Sequence, residues 1–329
     1  MPRKIETGKL PADILTRLLS RTRTDPRVII GPAYGEDAAA VRFAGGILVA
    51  ATDPITFATD RVGQYAVDVN ANDIAVMGGV PRHFLATILL PPGSSESDVQ
   101  SIFDDIEQAC QAINVTLIGG HTEITSSVNS VVISGCMLGE VDEESLISNK
   151  GARVGDALLL AGPIAVEGTA ILANEPIDGI KSELIERAKY LLDDPGIGVL
   201  RYARIAMNNG GVTAMHDPTE GGLATAIREL AGASEKGAII QREAIPVLEE
   251  CRVICDVVGL NPLGLIASGS LLIAADSGQA DQMLARFEEA GVIAAEIGTI
   301  TEPETGIRFA EGEEVPAFDR DEIARYFDS

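Results

Sequence analysis

The sequence predicts an α/β protein of two domains in which strands and helices are mixed rather than strictly alternating, an α+β arrangement. Three observations indicate this class. The chain has 329 residues, which is long for a single core. Strand-length apolar runs are interspersed with helical periodicity in both halves. The polar, turn-rich run "DEESLISNKGARVGD" predicts a boundary near residue 150, and therefore domains at 1–150 and 151–329.

The first half begins with an amphipathic helix in "LPADILTRLLSR", and the runs "RVII" and "GILVAAT" predict strands. Periodicity over residues 61–78 predicts a helix whose single apolar stripe also carries Asp73. The strand "HFLATILL", the capping cluster "PPGSSESD" and a strong amphipathic helix follow. "VTLI" then leads into a glycine turn at "GGHTE", and the strand "SVVISGCMLGEV" closes this half.

The second half restarts with the strand "ALLLAG" and a helix around "AVEGTAILAN". Further helices are predicted at 180–192 and 199–209, and the apolar run "GVTAM" precedes another amphipathic helix. The pattern continues with a strand near "AII", a helix from near Pro246, the loop "GLNPLGLIASGS", the strand "LLIAA", a helix through "QADQMLARFEEA" and the strand "VIAAEIG".

The amino-acid composition limits the kinds of partner that the chain can bind. Lys and Arg number 25 against 49 Asp and Glu, and the formal net charge of −24 repels nucleic acid and anionic membranes. A polyanionic ligand would therefore need metal ions. The apolar runs are shorter than the roughly 20 residues of a membrane span, and no apolar segment follows the basic start, which predicts a cytoplasmic protein. The scattered cysteines lack zinc-site spacing and predict buried thiols: Cys110, Cys136, Cys251 and Cys255.

Four segments place acids beside small residues: "GEDAA", "ATDP", "NANDIAVMGG" and "HDPTEGG". The acids are Glu36, Asp37, Asp53, Asp73 and Asp217. Taken alone, each of them except Asp73 is better explained by a capping or turn role. Asp73 is different, because an acid on the apolar stripe of a helix is costly unless it is paired, hydrogen-bonded or bound to a cation.

Together these carboxylates can bind magnesium, which prefers hard oxygen ligands and bridges phosphates. The other candidate ligands are Asn70, His121 and Glu123. Glycine pairs at 78–79, 119–120 and 221–222 offer backbone N–H groups to a phosphate. The sequence contains neither a P-loop motif nor G-x-G-x-x-G, so an ATP site would use another architecture.

The histidines and one serine pair leave alternatives open. His83 opens a strand and predicts a structural role. His121 and His216 lie beside the candidate phosphate turns, where hydrogen bonding and proton transfer are both compatible with the pattern. The "SGS" at 268–270 is either a substrate contact or a tight turn before "LLIAA".

The ordered set "GEDAA…TDP…NDIAVMGGVP…GGHTE…DPTEGGLA…ASGSLL" resembles the superfamily of aminoimidazole ribonucleotide (AIR) synthetase. The match extends over nearly the whole chain, and "DPTEGGLATAIREL" and "ASGSLLIAA" are most similar to the hydrogenase maturation branch. The resemblance implies an N-terminal sheet that forms a barrel with its twin across a homodimer, followed by a C-terminal α/β sandwich.

The resemblance also implies ATP and Mg²⁺ in a cleft between the domains, and an oxygen, often of an amide-type carbonyl, that is activated as a phosphate ester and then displaced. Metal binding carries over to Asp37, Asp53, Asp73 and Asp217. Nucleotide contacts carry over to Glu36, Asp37, Asn70, Gly119, Gly120, Thr122, Gly221 and Gly222. Asp217 and His121 are the implied catalytic residues.

Three features depart from the hydrogenase maturation branch. Its members end in a cysteine that carries the group being dehydrated, whereas this chain ends "ARYFDS" and its last cysteine is Cys255. The branch's "GGDT" reads "GGHT" here, so His121 replaces an acid, and "GED" replaces "GDD". We therefore expect an ATP- and Mg²⁺-dependent enzyme that acts on an external small molecule or on a group of a partner protein. A phosphotransferase like thiamine-monophosphate kinase, a purine cyclo-ligase and a nucleotide-responsive scaffold without turnover are the alternatives.

Overall fold

The structure, a computed structural model, describes residues 12–19, 25–33, 35–56 and 61–328. The helices are α1 Ala12–Leu19, α2 Val62–Val76, α3 Glu96–Ala112, α4 Val166–Ala173, α5 Ser182–Tyr190, α6 Leu200–Asn209, α7 Gly222–Ala233, α8 Glu249–Val258, α9 Ser277–Glu289 and α10 Glu322–Phe327. The strands are β1 Val28–Ile30, β2 Ala39–Phe43, β3 Gly46–Ala51, β4 Pro54–Ile55, β5 Val80–Leu90, β6 Thr116–Ile124, β7 Val132–Val141, β8 Ala157–Ala161, β9 Val212–His216, β10 Gly237–Ile240, β11 Leu271–Ala275, β12 Ala294–Thr301 and β13 Ile307–Phe309. None of the helices in these ranges is long and apolar enough to span a membrane.

The described chain divides into two compact units, each with its own sheet. The N-terminal unit comprises residues 25–32 and 37–146. The C-terminal unit comprises residues 147–328, together with α1 and residues 33, 35 and 36. The chain therefore passes from one unit to the other between residues 32 and 33, between residues 36 and 37, and between residues 146 and 147.

The sheet of the N-terminal unit has the order β1-β2-β3-β7-β5-β6, and β4 also pairs with β7. Its pairs are antiparallel except for β5 with β6. Helix α2 packs on β3, β5 and β7, and α3 packs on α2. Because α2 lies between the sheet and α3, it is buried on nearly all sides, and the predicted single apolar stripe is wrong.

The predicted capping cluster before α3 is confirmed. Ser95 accepts a hydrogen bond from the Asp98 N–H, and the Asp98 carboxylate accepts one from the Ser95 N–H, which is a capping box. The buried face of α3 lies on α2 at Gly63, where a Cβ would be 2.6 Å from the Ile102 carbonyl oxygen. The glycine allows the two helix backbones to approach closely.

The sheet of the C-terminal unit has the order β13-β10-β12-β8-β11-β9, and its pairs are antiparallel except for β10 with β13. Strands β8 and β11 are buried at every position. Leu158 and Leu160 of β8 pack in one cluster with Leu223 and Ile227 of α7, and Leu159 points the other way. Helices α6 and α9 also pack on the sheet. This is the expected α/β sandwich, with helices on both faces.

The sequence missed several elements. Strands β2, β4 and β13 and helix α10 are short or follow polar segments and give little periodic signal. The predicted turn at "GGHTE" is wrong, because strand β6 continues through it to Ile124. The expectation of buried thiols is confirmed for Cys110, Cys251 and Cys255, whereas Cys136 is partly buried.

Candidate functional site

Asp53 follows strand β3, and the side chain of Asn70 on α2 holds its backbone. The Asp53 N–H donates to Asn70 Oδ1 over 2.9 Å, and Asn70 Nδ2 donates to the Asp53 carbonyl oxygen over 3.2 Å. Nδ2 also donates to the Ala66 carbonyl oxygen over 2.8 Å. Asn70 is fully buried, and both of its polar atoms are used within the unit. It therefore positions the Asp53 turn, a role that differs from the expected nucleotide contact.

Strand β7 supports the same turn and leaves room for Asn70 at Gly135. A Cβ at Gly135 would lie 2.4 Å from Asn70 Nδ2 and 2.8 Å from the Phe84 ring. The Gly135 N–H donates to the Asp53 carbonyl oxygen over 3.0 Å, and the Thr52 hydroxyl donates to the Gly135 carbonyl oxygen over 2.6 Å. Both α2 and β7 thus fix the backbone from which the Asp53 carboxylate projects.

Asp73 lies on α2 three residues after Asn70, so the two side chains share a face of the helix about one turn apart. The residue is only 6% exposed. No lysine or arginine belongs to α2 itself. Burying a carboxylate in an apolar helix is unfavourable unless hydrogen bonds, a counter-charge or a cation stabilise it. Asp73 therefore lies on the side of α2 that holds the Asp53 turn.

Glu36 is tied into the C-terminal unit by contacts with the segment after residue 146. Its side chain is 2% exposed, and Oε1 accepts a hydrogen bond from the Ser148 hydroxyl over 2.9 Å and lies 3.4 Å from Lys150 Nζ. Oε2 is enclosed and accepts no hydrogen bond from the described residues. The next residue, Asp37, is partly buried and belongs to the N-terminal unit.

The "GGHT" segment lies in β6, the edge strand of the N-terminal sheet, which pairs in parallel with β5. Gly119, Gly120, His121 and Thr122 are all exposed. His121 Nε2 lies 3.1 Å from the Glu123 Oε2, and the His121 side chain is 63% exposed. Gly120 permits the strand pairing, because a Cβ there would lie 2.0 Å from the Ala86 carbonyl oxygen.

His216 ends strand β9 in the C-terminal unit, Asp217 follows it, and both are buried. His216 Nε2 lies 2.8 Å from Glu229 Oε2 on α7, and Nδ1 lies 3.5 Å from Asn149 Nδ2. A neutral imidazole protonated at Nε2 satisfies both contacts, with Nδ1 accepting from the amide. These two contacts fix the orientation of the imidazole, and both roles left open for His216 stay predictions.

The Gly221–Gly222 pair, expected to offer its N–H groups to phosphate, uses them internally. The Gly221 N–H donates to Asp321 Oδ2 over 2.6 Å, and the Gly222 N–H donates to the Thr219 carbonyl oxygen over 3.0 Å. Asp321 also accepts from the Ile266 N–H over 3.2 Å. No local pattern indicates Asp321, because it lies 100 residues from Gly221. Burial raises the pKa of Asp321 to about 6, against the lowering effect of these backbone donors.

Glu167, in the first turn of α4, is a partly buried acid that no motif of the sequence indicates. Ser268, the first serine of "SGS", acts to lower the pKa of Glu167. The Oε2 of Glu167 is enclosed and accepts no hydrogen bond from the described residues. Burial raises the pKa of Glu167 to about 7, and the nearby charges of Asp321 and Glu220 add to that rise. Ser270 instead donates to the Ala267 carbonyl oxygen over 3.1 Å, which closes a tight turn.

Three aspartates of the N-terminal unit carry the ligand type that magnesium prefers. They are Asp37, Asp53 and Asp73. Hard oxygen ligands of this kind bind Mg²⁺, which keeps part of its water shell and shares phosphate oxygens. Bound there, the ion would neutralise charge on a polyphosphate. In a chain of net charge −24, that neutralisation is what an anionic ligand requires.

The two units, each with its own sheet, correspond to the two domains of AIR synthase related proteins. The description "AIR synthase related protein, N-terminal domain" matches residues 35–141, and "AIR synthase related protein, C-terminal domain" matches residues 153–310. These two matches cover more than half of the chain. The chain therefore belongs to the AIR synthase related protein family.

Within this family, the chain is similar to hydrogenase maturation proteins. It is 31% identical to the putative hydrogenase expression/formation protein of Methanocaldococcus jannaschii, over 77% of this chain and 74% of the relative. It is also 31% identical to the carbamoyl dehydratase HypE of Cupriavidus necator, over 82% of this chain and 77% of the relative. A crystal structure of the hydrogenase maturation protein HypE in complex with ATP matches with a TM-score of 0.71 and 24% identity, covering 94% of this chain and 91% of that one. That structural likeness shows the shared fold.

Proposed function

We propose that this protein is an ATP- and Mg²⁺-dependent enzyme that activates a carbonyl or amide oxygen of its substrate as a phosphate ester. The observation that carries the proposal is the pairing of the clamped Asp53 turn with the buried Asp73 on one side of α2, within the part of the chain that matches the family's N-terminal domain. A relative is named a carbamoyl dehydratase, and a HypE structure contains ATP, which supports the same chemistry here.

In this proposal Asp37, Asp53 and Asp73 bind Mg²⁺, and Asn70 positions the Asp53 turn. The ion neutralises the transferred phosphoryl group, which is the main requirement of phosphoryl transfer. Asp217 of the C-terminal unit remains a proposed metal and catalytic residue, tested by a variant of its own.

The remaining residues proposed to contact the nucleotide are on strand β6 and at Glu36. Gly119, Gly120 and Thr122 lie on an exposed strand whose residues are accessible to a nucleotide, and His121 next to them is the proposed catalytic imidazole. Glu36 is a further proposed contact, and its enclosed Oε2 accepts no hydrogen bond from the described residues. We assign Gly221 and Gly222 to holding the Thr219–Gly222 turn, since their N–H groups have internal acceptors.

The substrate is proposed to be a separate small molecule or a group borne by a partner protein. Three of the four cysteines, Cys110, Cys251 and Cys255, are buried, so their thiols are not accessible to carry a substrate group. A crystal structure of a HypE-HypF complex has the same fold with a TM-score of 0.73 at 22% identity, which makes a protein partner a reasonable candidate to test. Since the reaction consumes ATP, we place the protein in the cytoplasm.

Calorimetry with ATP in the presence and absence of Mg²⁺ tests the nucleotide site. Asp73→Asn and Asp53→Asn are expected to weaken Mg²⁺-dependent ATP binding at least tenfold, because each removes a charge from the ion site. Asp217→Asn tests the other unit in the same way. Asp104→Asn, an exposed acid on α3, is the matched control and should bind as the unaltered protein does. Equal affinity in Asp73→Asn and Asp104→Asn would remove the metal assignment.

We also propose a homodimer in which the N-terminal sheets pair into a barrel. Strand β6 ends the sheet order, and both of its faces are exposed, with Ile118 and Ile124 51% and 53% accessible. Edge strands of this kind pair with a second chain or are otherwise protected. Sedimentation should show a dimer that Ile118→Lys shifts toward monomer. Val154→Lys, at an exposed apolar position of the C-terminal unit, should leave the dimer intact.

A further inference from the structure

Helix α8 of the C-terminal unit places two thiols side by side. Cys251 and Cys255 are four residues apart, so their side chains share one face of the helix. Their Sγ atoms lie 4.0 Å apart, and both residues are fully buried. Arg252 and Asp256 on the same helix are exposed. The thiol pair therefore lies on the inner side of a helix whose outer side meets solvent.

The distance between the two sulfurs suits a shared metal ion. With metal–thiolate bonds of about 2.3 Å, two sulfurs 4.0 Å apart subtend an angle of about 120° at the ion. If the side chains rotate so that the separation grows to about 4.6 Å, the same bonds become collinear. An ion therefore fits between the sulfurs after small rotations of the two side chains, and it needs no separate cavity.

The number of ligands selects the kind of ion. Structural zinc takes four ligands and magnesium about six oxygens. Within the part of the chain that the structure describes, no third Cys, His, Asp or Glu lies close enough to join the two thiols. Soft sulfur ligands select Cu(I), for which two thiolates are sufficient. Both cysteines belong to the hydrophobic cluster of the C-terminal unit, which keeps water and hard oxygen ligands away from the sulfurs.

A buried hydroxyl group near the pair is suited to stabilise a thiolate. Helix α4 packs against α8, and Thr169 of α4 is fully buried. Its Oγ1 has no hydrogen-bond partner among the described residues. Hydrogen bonding by Cys255 lowers the pKa of Cys251 against the effect of burial, and Thr169 adds to that lowering. Since a hydroxyl buried without a partner is costly, a metal-bound thiolate would supply the acceptor that it lacks.

The charges around the first turn of α8 also tolerate a thiolate. Glu249 and Glu250 belong to this turn together with Cys251. Arg187 of α5 donates to Glu250 Oε1 over 2.6 Å and to Glu249 Oε2 over 2.8 Å. These acids therefore have a counter-charge, while the positive end of the helix dipole favours a thiolate at Cys251.

We propose that Cys251 and Cys255 form a two-thiolate binding site for the soft monovalent ion Cu(I). When the ion binds, it replaces the thiol protons, which pass to the solvent, and neither sulfur nor copper changes its oxidation state. The ion would enter beside Val247 and Leu248, which precede α8 and are partly exposed. This site goes beyond the proposed function, because neither cysteine belongs to the proposed nucleotide site.

The test titrates the full chain with Cu(I) under anaerobic conditions, with ascorbate as reductant and bicinchoninate as the coloured competitor. The unaltered protein should take one ion per chain from the competitor. Cys251→Ala and Cys255→Ala should each weaken Cu(I) binding at least a hundredfold, and Thr169→Val should weaken it by about tenfold. Cys110→Ala and Cys136→Ala, which remove a buried and a partly buried thiol elsewhere, are the matched controls and should bind Cu(I) normally.

X-ray absorption of the copper-loaded unaltered protein tests the site without any variant, so the inference stays testable if a cysteine variant fails to fold. The spectrum should show two sulfur neighbours around copper, and a tenfold excess of ZnCl₂ should not displace the ion. Copper with nitrogen or oxygen neighbours would overturn the inference. So would an unaltered protein that takes no Cu(I), or equal loss of binding in Cys136→Ala and Cys251→Ala.

Discussion

Replacing Asn70 with alanine removes three hydrogen bonds at once, to Asp53 N–H, Asp53 carbonyl and Ala66 carbonyl. Each buried hydrogen bond contributes about 1 kcal/mol net, and the partners left unsatisfied add to the loss, so we expect Asn70→Ala to lower the free energy of unfolding by about 2–4 kcal/mol. Because the Asp53 turn loses its support on α2, the Kd for Mg²⁺-dependent ATP binding should also rise at least tenfold. That rise corresponds to about 1.4 kcal/mol.

Urea unfolding followed by circular dichroism measures the first effect, since the chain contains no tryptophan. Asn174→Ala is the matched control, because Asn174 makes one comparable bond, from Nδ2 to the Ala170 carbonyl oxygen over 3.1 Å. It should cost about 1 kcal/mol and leave ATP affinity unchanged. If Asn70→Ala costs no more than Asn174→Ala, or if it binds Mg²⁺ and ATP normally, the clamp does not position the site.

Gly135→Ala probes the same clamp from strand β7. Its Cβ would meet Asn70 Nδ2 at 2.4 Å, so the amide must leave its position. Because both substitutions break one set of contacts, the double variant should lose clearly less stability than the sum of the two single losses. Fully additive losses would mean that Gly135 acts independently of Asn70.

Three further predictions concern other positions. Burial raises the pKa of Glu167 from 4.5 to about 7, so the folded state holds this proton more tightly and the free energy of unfolding falls by about 3 kcal/mol as pH rises from 4.5 to 7. The difference between the unfolding free energies at pH 5 and pH 8 should therefore be smaller in Glu167→Gln than in the unaltered protein, and equal differences would contradict this. Gly222 has φ +63°, and a Cβ there would lie 2.6 Å from the Leu263 carbonyl oxygen, so Gly222→Ala should lower the free energy of unfolding by about 2 kcal/mol or more. Gly232 lies in the same helix with open space around it, so Gly232→Ala should raise the free energy of unfolding by about 0.5–1 kcal/mol. Burial raises the pKa of Cys110 to about 11, so iodoacetamide at pH 8 should modify this thiol slowly in the folded protein and rapidly in urea.

The sequence predicted the elements that depend on local signals. Ser95 and Asp98, which form the capping box, are three residues apart, and the amphipathic pattern of α3 begins immediately after Ser95. The apolar runs of β8 and β11 are also readable, because a strand covered on both faces is apolar at every position. Both kinds of signal are complete within a segment of the chain.

The "GGHTE" segment shows where local signals fail. Two successive glycines are typical of a turn, yet Gly119 and Gly120 continue a strand. The reason is non-local, since β5 lies so close that a Cβ at Gly120 would be 2.0 Å from the Ala86 carbonyl oxygen. Glycine is present there for close backbone approach rather than for a turn, and the sequence alone does not distinguish the two.

The candidate site shows a related limit, because residue type does not reveal whether a polar group holds the backbone or faces a ligand. Asn70 belongs to a segment rich in ligand-type residues, but its amide is used entirely in holding Asp53 and Ala66. Asp321 likewise directs both oxygens to backbone donors. Glu167 lies in a segment without any such motif, yet its Oε2 is enclosed and accepts no hydrogen bond from the described residues. The hydrogen bonds of the folded chain therefore assign Asn70 and Asp321 to holding the backbone, since a ligand can use only the polar atoms that the fold leaves unsatisfied.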